Sequence, residues 1–189
     1  MSQFELQPAE SELQQYAEQC WRKAGEREHE LETAAYAAGA AIRDGEYSLT
    51  NLEDIVRWKS ERVVHYLIAN GEAKIRRVLA VAASPASSTR QAVEALMELR
   101  GVDLPIASAI LAAIDPDRYN VLDFRTLEAI GHARHDVEFY AEYVAFCRRL
   151  AERGLVKPQS DLPGATPLHA LERALWEWSR CRAEHRVPA

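Results

Sequence analysis

The chain has little of what builds covalent or metal frameworks. Its 189 residues hold three cysteines, Cys20, Cys147 and Cys181, far apart and never in a C-x-x-C spacing. An odd, scattered set reads as reduced intracellular thiols and excludes a disulfide scaffold. His132 and His135 stand three apart, as two ligands on one helix would, but no third ligand follows at a diagnostic spacing. Neither metal nor cofactor is therefore expected. There is no apolar run long enough to cross a bilayer, and residues 1–8 do not form a signal peptide, so no membrane contact and a cytoplasmic location are expected. Also missing are a nucleotide-binding glycine loop, a Ser/His/Asp or Cys/His signature, and any internal repeat. Positive charge is in deficit: 23 Lys and Arg against 29 Asp and Glu leave a net −6. Much of the affinity for nucleic acid comes from cations releasing counterions. Any nucleic-acid site here must be a local basic patch on an acidic body.

What is present is a globular composition, 48% apolar and 28% charged, of a length that suits one domain. Helical signals recur without a strand pattern between them. Residues 7–42 are rich in Ala, Glu, Gln and Leu, with Gly25, Gly39 and Gly45 as expected breaks. Thr50 and Glu53 have the form of a capping box, followed by a stripe of Leu52, Val56, Val63 and Leu67. Further helices are expected over 72–83, over 89–100 from a Ser88/Gln91 capping box, and from Pro105 at a first helical position to Ile114. Tyr119 to Leu122 is a short extended link, and Asp123 starts the next helix. A helix over 136–153, a loop over 156–164 and a last helix striped by Leu168, Leu171, Leu175 and Trp178 complete the reading. The fold class is all-α.

Two stretches carry candidate chemistry. The first is Leu99-Arg100-Gly101-Val102-Asp103-Leu104-Pro105, which joins two short helices through a glycine-bearing turn. Small residues in the second helix, Ala107, Ser108, Ala109, Ala112 and Ala113, permit close packing. Backbone amides of such a turn, with the helix N-terminus behind it, form a phosphate seat. Arg100, Gly101, Val102 and Asp103 are the candidate contacts, and Lys74 and Arg77, from the densest basic cluster nearby, are added. The alternative is that Gly101 merely stops a helix. The second stretch is Arg57-Trp58-Lys59 with Arg62. Trp58 and Arg62 share a helix face opposite the apolar stripe and suit stacking on a ring and pairing with an anion. Tyr119 and Arg125, near Asp123, join them as candidate pocket residues. Asp123 is either a plain helix N-cap or a reactive carboxylate.

The segment from Ala92 to Gly131 resembles the helix-hairpin-helix DNA glycosylases, whose Leu-Pro-Gly-Val-Gly turn and Ala-rich second helix precede an aspartate at the start of another helix. Gly101 falls on the first hairpin glycine and Asp123 on the catalytic aspartate. The resemblance implies a two-lobed fold in one domain, 1–189. The hairpin lobe would span about 72–135, and the second lobe would come from 1–71 and 136–189. It implies binding of double-stranded DNA and removal of a flipped-out base, assisted by Asp123. Two departures qualify the activity. The lysine nucleophile of backbone-cleaving members is replaced by Pro105, so no lyase step is expected. Asp103 stands at the second hairpin glycine, where its carboxylate would repel a phosphate. Aspartate can adopt the left-handed conformation that such a turn calls for, so the replacement is compatible with the hairpin. The rival reading is a non-catalytic helical scaffold that binds a protein or a small ligand.

Overall fold

Ser48, Ser88, Asp103, Asp123 and Asp136 each accept a backbone N–H from the first turn of the helix that they precede. Such caps satisfy amides that have no partner within the helix. The computed structural model describes residues 4–158 and 164–185. Its helices are α1 (Leu13–Lys23), α2 (Glu26–Arg43), α3 (Leu49–Ser60), α4 (Val64–Leu67), α5 (Glu72–Ala83), α6 (Thr89–Met97), α7 (Leu104–Ile114), α8 (Phe124–Ala129), α9 (Val137–Glu152) and α10 (Pro167–His185). Three single 3₁₀ turns, Glu10–Glu12, Glu61–Val63 and Ile68–Asn70, precede or link helices. The described residues contain no strand, and none of their helices is long and apolar enough to cross a membrane.

At the centre lies α7. Ten of its eleven residues are buried, and all are apolar except Ser108. Burying a Leu or Ile side chain contributes roughly 1.5–3 kcal/mol, so this segment is a main source of the fold's stability. α7 packs against α2 and α3, which also pack on each other, and it meets α6, which is itself paired with α5. The N-terminal α1 lies along the C-terminal α10, and α10 also packs on α8 and α9.

Gly39 does not break a helix. It lies inside α2, and a Cβ there would sit 2.0 Å from the Ala113 carbonyl oxygen of α7. Its lack of a side chain is what lets the two helices touch. Four other local readings shift. The cap of α3 is Ser48 instead of Thr50. The helix breaks after Ser60, so Val63 and Leu67 follow on a 3₁₀ turn and α4. Pro105 occupies the second position of α7, because Leu104 is first after the Asp103 cap. Asp103 itself is extended at φ −94°, not left-handed. Of the loop read over 156–164, residues 159–163 lie outside those described.

Candidate functional site

The link from Tyr119 to Leu122 decides where Asp123 stands. The Leu122 N–H donates to Ser108 Oγ of α7 at 2.9 Å. Tyr140 and Tyr143 of α9 donate their hydroxyls to the Asn120 and Val121 carbonyls at 3.0 and 2.9 Å. The link is thus clamped from both sides, and Asp123 begins α8 against the hairpin's second helix. Its Oδ1 accepts the N–H groups of Arg125 and Thr126 at 3.0 and 3.1 Å. Capping uses one oxygen. The other, Oδ2, meets Lys59 Nζ at 2.6 Å, with the two side chains 9% and 19% exposed. Asp123 is therefore an N-cap, as one of its two readings expects, and its second oxygen is held in a largely dry ion pair.

Two cavities meet at this pair. Asp123 lines the first, about 480 Å³, with Pro105, Leu122, Phe124 and Leu127. Phe124 is 70% exposed, an unusual state for its residue type. The second, about 200 Å³, is lined by Lys59 with Trp58, Val121, Glu172, Arg173 and Trp176. Arg125 links the two sides. Its guanidinium stacks on Phe124 at 4.9 Å and on Trp176 at 5.0 Å.

Beneath the second cavity lies a buried charge cluster from α2 and α10. Arg173 pairs with Glu32, and His169 Nε2 faces the other Glu32 oxygen at 2.8 Å. Burial alone would raise the Glu32 pKa, but Arg173 and His169 outweigh it and hold the carboxyl down to about 2. Glu172 lies in the opposite regime. Burial pushes its pKa up with help from Asp123, and Arg173, His169 and Lys59 do not offset the two.

The candidate residues separate into three groups. Trp58, Arg125 and Asp123 are brought together around the two cavities. Tyr119 is not a pocket residue: it is 2% exposed and packs within the main core. An aromatic ring beside a site reads the same in sequence whether it faces ligand or core. Arg62 is exposed on the 3₁₀ turn after α3, off the cavity lining, because the helix does not continue past Ser60.

The hairpin candidates form their own assembly. Gly101 takes φ +90°, and a Cβ there would come within 2.8 Å of Tyr66 Cβ, so both conformation and space require glycine. Asn70 holds the turn, accepting the Arg100 N–H at 2.7 Å and donating to the Arg100 carbonyl at 3.1 Å. Val102 is buried, and its N–H is used by Leu99. Lys74 donates to the Glu98 carbonyl, and Arg77 pairs with the Glu98 carboxylate at 2.6 Å. Asp103 Oδ1 accepts the Ile106 N–H at 3.1 Å. The cations thus stand around the turn as expected, but two of them are engaged by Glu98.

Glu32, Glu172, Arg173 and Trp176 were not among the sequence's candidates, and Lys59 was given no role there. Lys59 lies beside Trp58 in the stretch singled out, but its partner is 64 residues away. Among the described residues, no group of three or more His, Cys, Asp or Glu is placed to hold a metal ion. Comparison of the chain with protein-family models, with curated proteins and with solved structures returns no match to any of them.

Proposed function

We propose that the chain is a DNA N-glycosylase of helix-hairpin-helix type, two-lobed around α7, that removes a base by hydrolysis without cutting the strand. The observation that carries this reading is the Asp123–Lys59 pair, 2.6 Å apart, at the junction of two cavities, one walled by Trp58 and Trp176. Departure of a base leaves positive charge on the sugar. A fixed carboxylate in a water-poor cleft stabilises that charge far better than solvent does. The capping bonds and Lys59 fix Asp123, so little reorganisation is needed at the moment of reaction. Tryptophan faces suit a base taken out of its stack. The exposed Phe124 beside the carboxylate suits contact with the bases that remain.

The absence of a lyase step follows from the amines. Pro105 occupies the place of a hairpin lysine, and Lys59 is on α3, outside the hairpin, with its Nζ held by Asp123. Water completes the reaction. The test is a panel of duplexes, each with one damaged or mismatched base, scored with and without alkali for the wild type and Asp123→Asn. The substitution keeps a capping oxygen and removes the charge. Base release by the wild type, seen only after alkali and lost in the variant, is expected. Strand cleavage without alkali, or a borohydride-trapped adduct, overturns the hydrolytic reading.

One observation favours the rival, a non-catalytic scaffold that binds a protein or small ligand. Glu98 engages Lys74 and Arg77, two of the cations beside the hairpin, on a chain of net charge −6. A folded sample that releases no base from any duplex and binds none of them would establish that rival.

A further inference from the structure

Among the carboxylates around the 200 Å³ cavity, Glu172 has the least complete pairing. Glu32 has Arg173 and His169, and Asp123 has Lys59. Glu172 is 4% exposed and lines the cavity, yet its Oε2 makes no hydrogen bond. The nearest cation, Arg173 Nε, stands 3.9 Å away, beyond hydrogen-bonding distance, and that guanidinium is already committed to Glu32. Buried polar groups are nearly always paired, so an orphan on a cavity wall calls for an explanation. A missing ligand supplies one.

The groups facing Glu172 set its state. Arg173 and His169 come from its own helix, Lys59 from α3 and Asp123 from the start of α8, while burial dominates and favours the uncharged acid. An uncharged carboxyl carries one O–H donor beside one carbonyl acceptor. That pair matches a ring edge on which an N–H lies next to a ring nitrogen or a carbonyl oxygen, through two parallel hydrogen bonds. Trp58 and Trp176 on the same walls select a flat partner. The volume lies below the roughly 300–1,000 Å³ of pockets for drug-sized ligands, which points to a single small ring system.

We propose that the Glu172 carboxyl is the specificity-determining group of this cavity, and that its ligand is a planar nitrogen heterocycle presenting a donor beside an acceptor on one edge, as an unpaired nucleobase does. The inference rests on reading the cavity as a base pocket and adds what the pocket selects. It places no reactive step on Glu172.

The test uses the full chain and free bases, so it does not depend on DNA binding. Adenine, hypoxanthine and uracil are titrated against 6-dimethylamino-9-methylpurine and 1,3-dimethyluracil, which carry no N–H donor, and the indole N–H resonances of Trp58 and Trp176 are followed. At least one of the first three should shift both resonances, and its methylated counterpart should bind about tenfold more weakly or worse. Glu172→Gln keeps a donor and an acceptor and should bind within about threefold of wild type, whereas Glu172→Leu should lose about tenfold or more. Wild-type affinity should fall as pH rises through the raised pKa of Glu172, and that of Glu172→Gln should stay level over the same range. Equal binding by Glu172→Leu, no discrimination against the methylated rings, or no shift with any of the five overturns the inference. Base release unchanged in Glu172→Leu would also sink it while leaving the glycosylase reading intact. Binding that needs Glu172 in a protein that cleaves no duplex would do the reverse.

Discussion

The hairpin rim and the interior around the Asp123–Lys59 pair differ in one respect: how far their polar groups satisfy one another. At the rim, Asn70, Lys74, Arg77, Glu98 and Asp103 spend their charges and hydrogen bonds on the turn itself. In the interior, burial is deeper and satisfaction is incomplete: Glu172 is left over, and Asp123 has only Lys59 beyond its capping bonds. A self-satisfied surface is already stable and gains little from a ligand. A dry site with leftover polar groups costs stability, and such sites are where function is found. On the proposed reading, that difference assigns the chemistry to α3, α8 and α10, with the hairpin as their support.

Glu32 and Glu172 offer the sharpest contrast within the interior, and the largest expected effect. Glu32→Gln strips Arg173 and His169 of their anion and should lower unfolding free energy by about 3–5 kcal/mol. Glu172→Gln removes a carboxyl with no hydrogen bond on Oε2 and should leave stability unchanged or raised at pH 8. Urea titrations of both variants check the pair. Their pH dependences should have opposite signs. The folded pKa of Glu32 is depressed, so its contribution is complete above the ordinary value of 4.5 and is lost as pH falls towards about 2. That loss amounts to at most about 3 kcal/mol. Glu172 has a raised folded pKa, so it stabilises the fold at low pH, and that contribution is lost as pH rises through the raised value. Equal losses for the two variants would erase the contrast.

Next in size is the support that α7 gives. Gly39→Ala places a methyl group against the Ala113 carbonyl and should cost about 1–3 kcal/mol, measured as a lower urea midpoint. Gly25→Ala, at a position with nothing within 4 Å, should cost under about 1 kcal/mol. The smallest effect is expected at the rim. Glu98→Gln releases Arg77 from its ion pair and should tighten binding of a labelled duplex only severalfold, with a steeper salt dependence. No change in the salt slope would mean that Arg77 does not reach phosphates.

The sequence carried the parts of this arrangement that are local. Capping chemistry at Ser88 and Asp123, the stop at Gly101 and the small and apolar residues of α7 are all written within a few residues. The place of Asp123 at the start of α8 was legible for the same reason. Lys59 was visible as a cation on a helix, but its role depends on a contact across 64 positions that no local pattern encodes. Glu172 was hidden more thoroughly. It sits beside Leu171 in an amphipathic helix, where an acidic residue reads as solvent-facing, and only the packing of α10 on its neighbours buries it. Gly39 misled in the opposite direction, because a glycine that permits helix contact and one that breaks a helix look alike until the partner helix is known.

The central claim, that reactivity lies in the interior and the hairpin only supports it, is tested most directly by single-turnover base release on a duplex that the protein processes. Asp123→Asn and Asp103→Asn are compared with the wild type at saturating protein. Both variants keep a capping oxygen at the start of a helix, and both remove one negative charge. Asp123→Asn should slow release by about 10²–10³-fold, with Asp103→Asn as fast as the wild type. Equal rates for all three, or a loss confined to Asp103→Asn, would contradict the account.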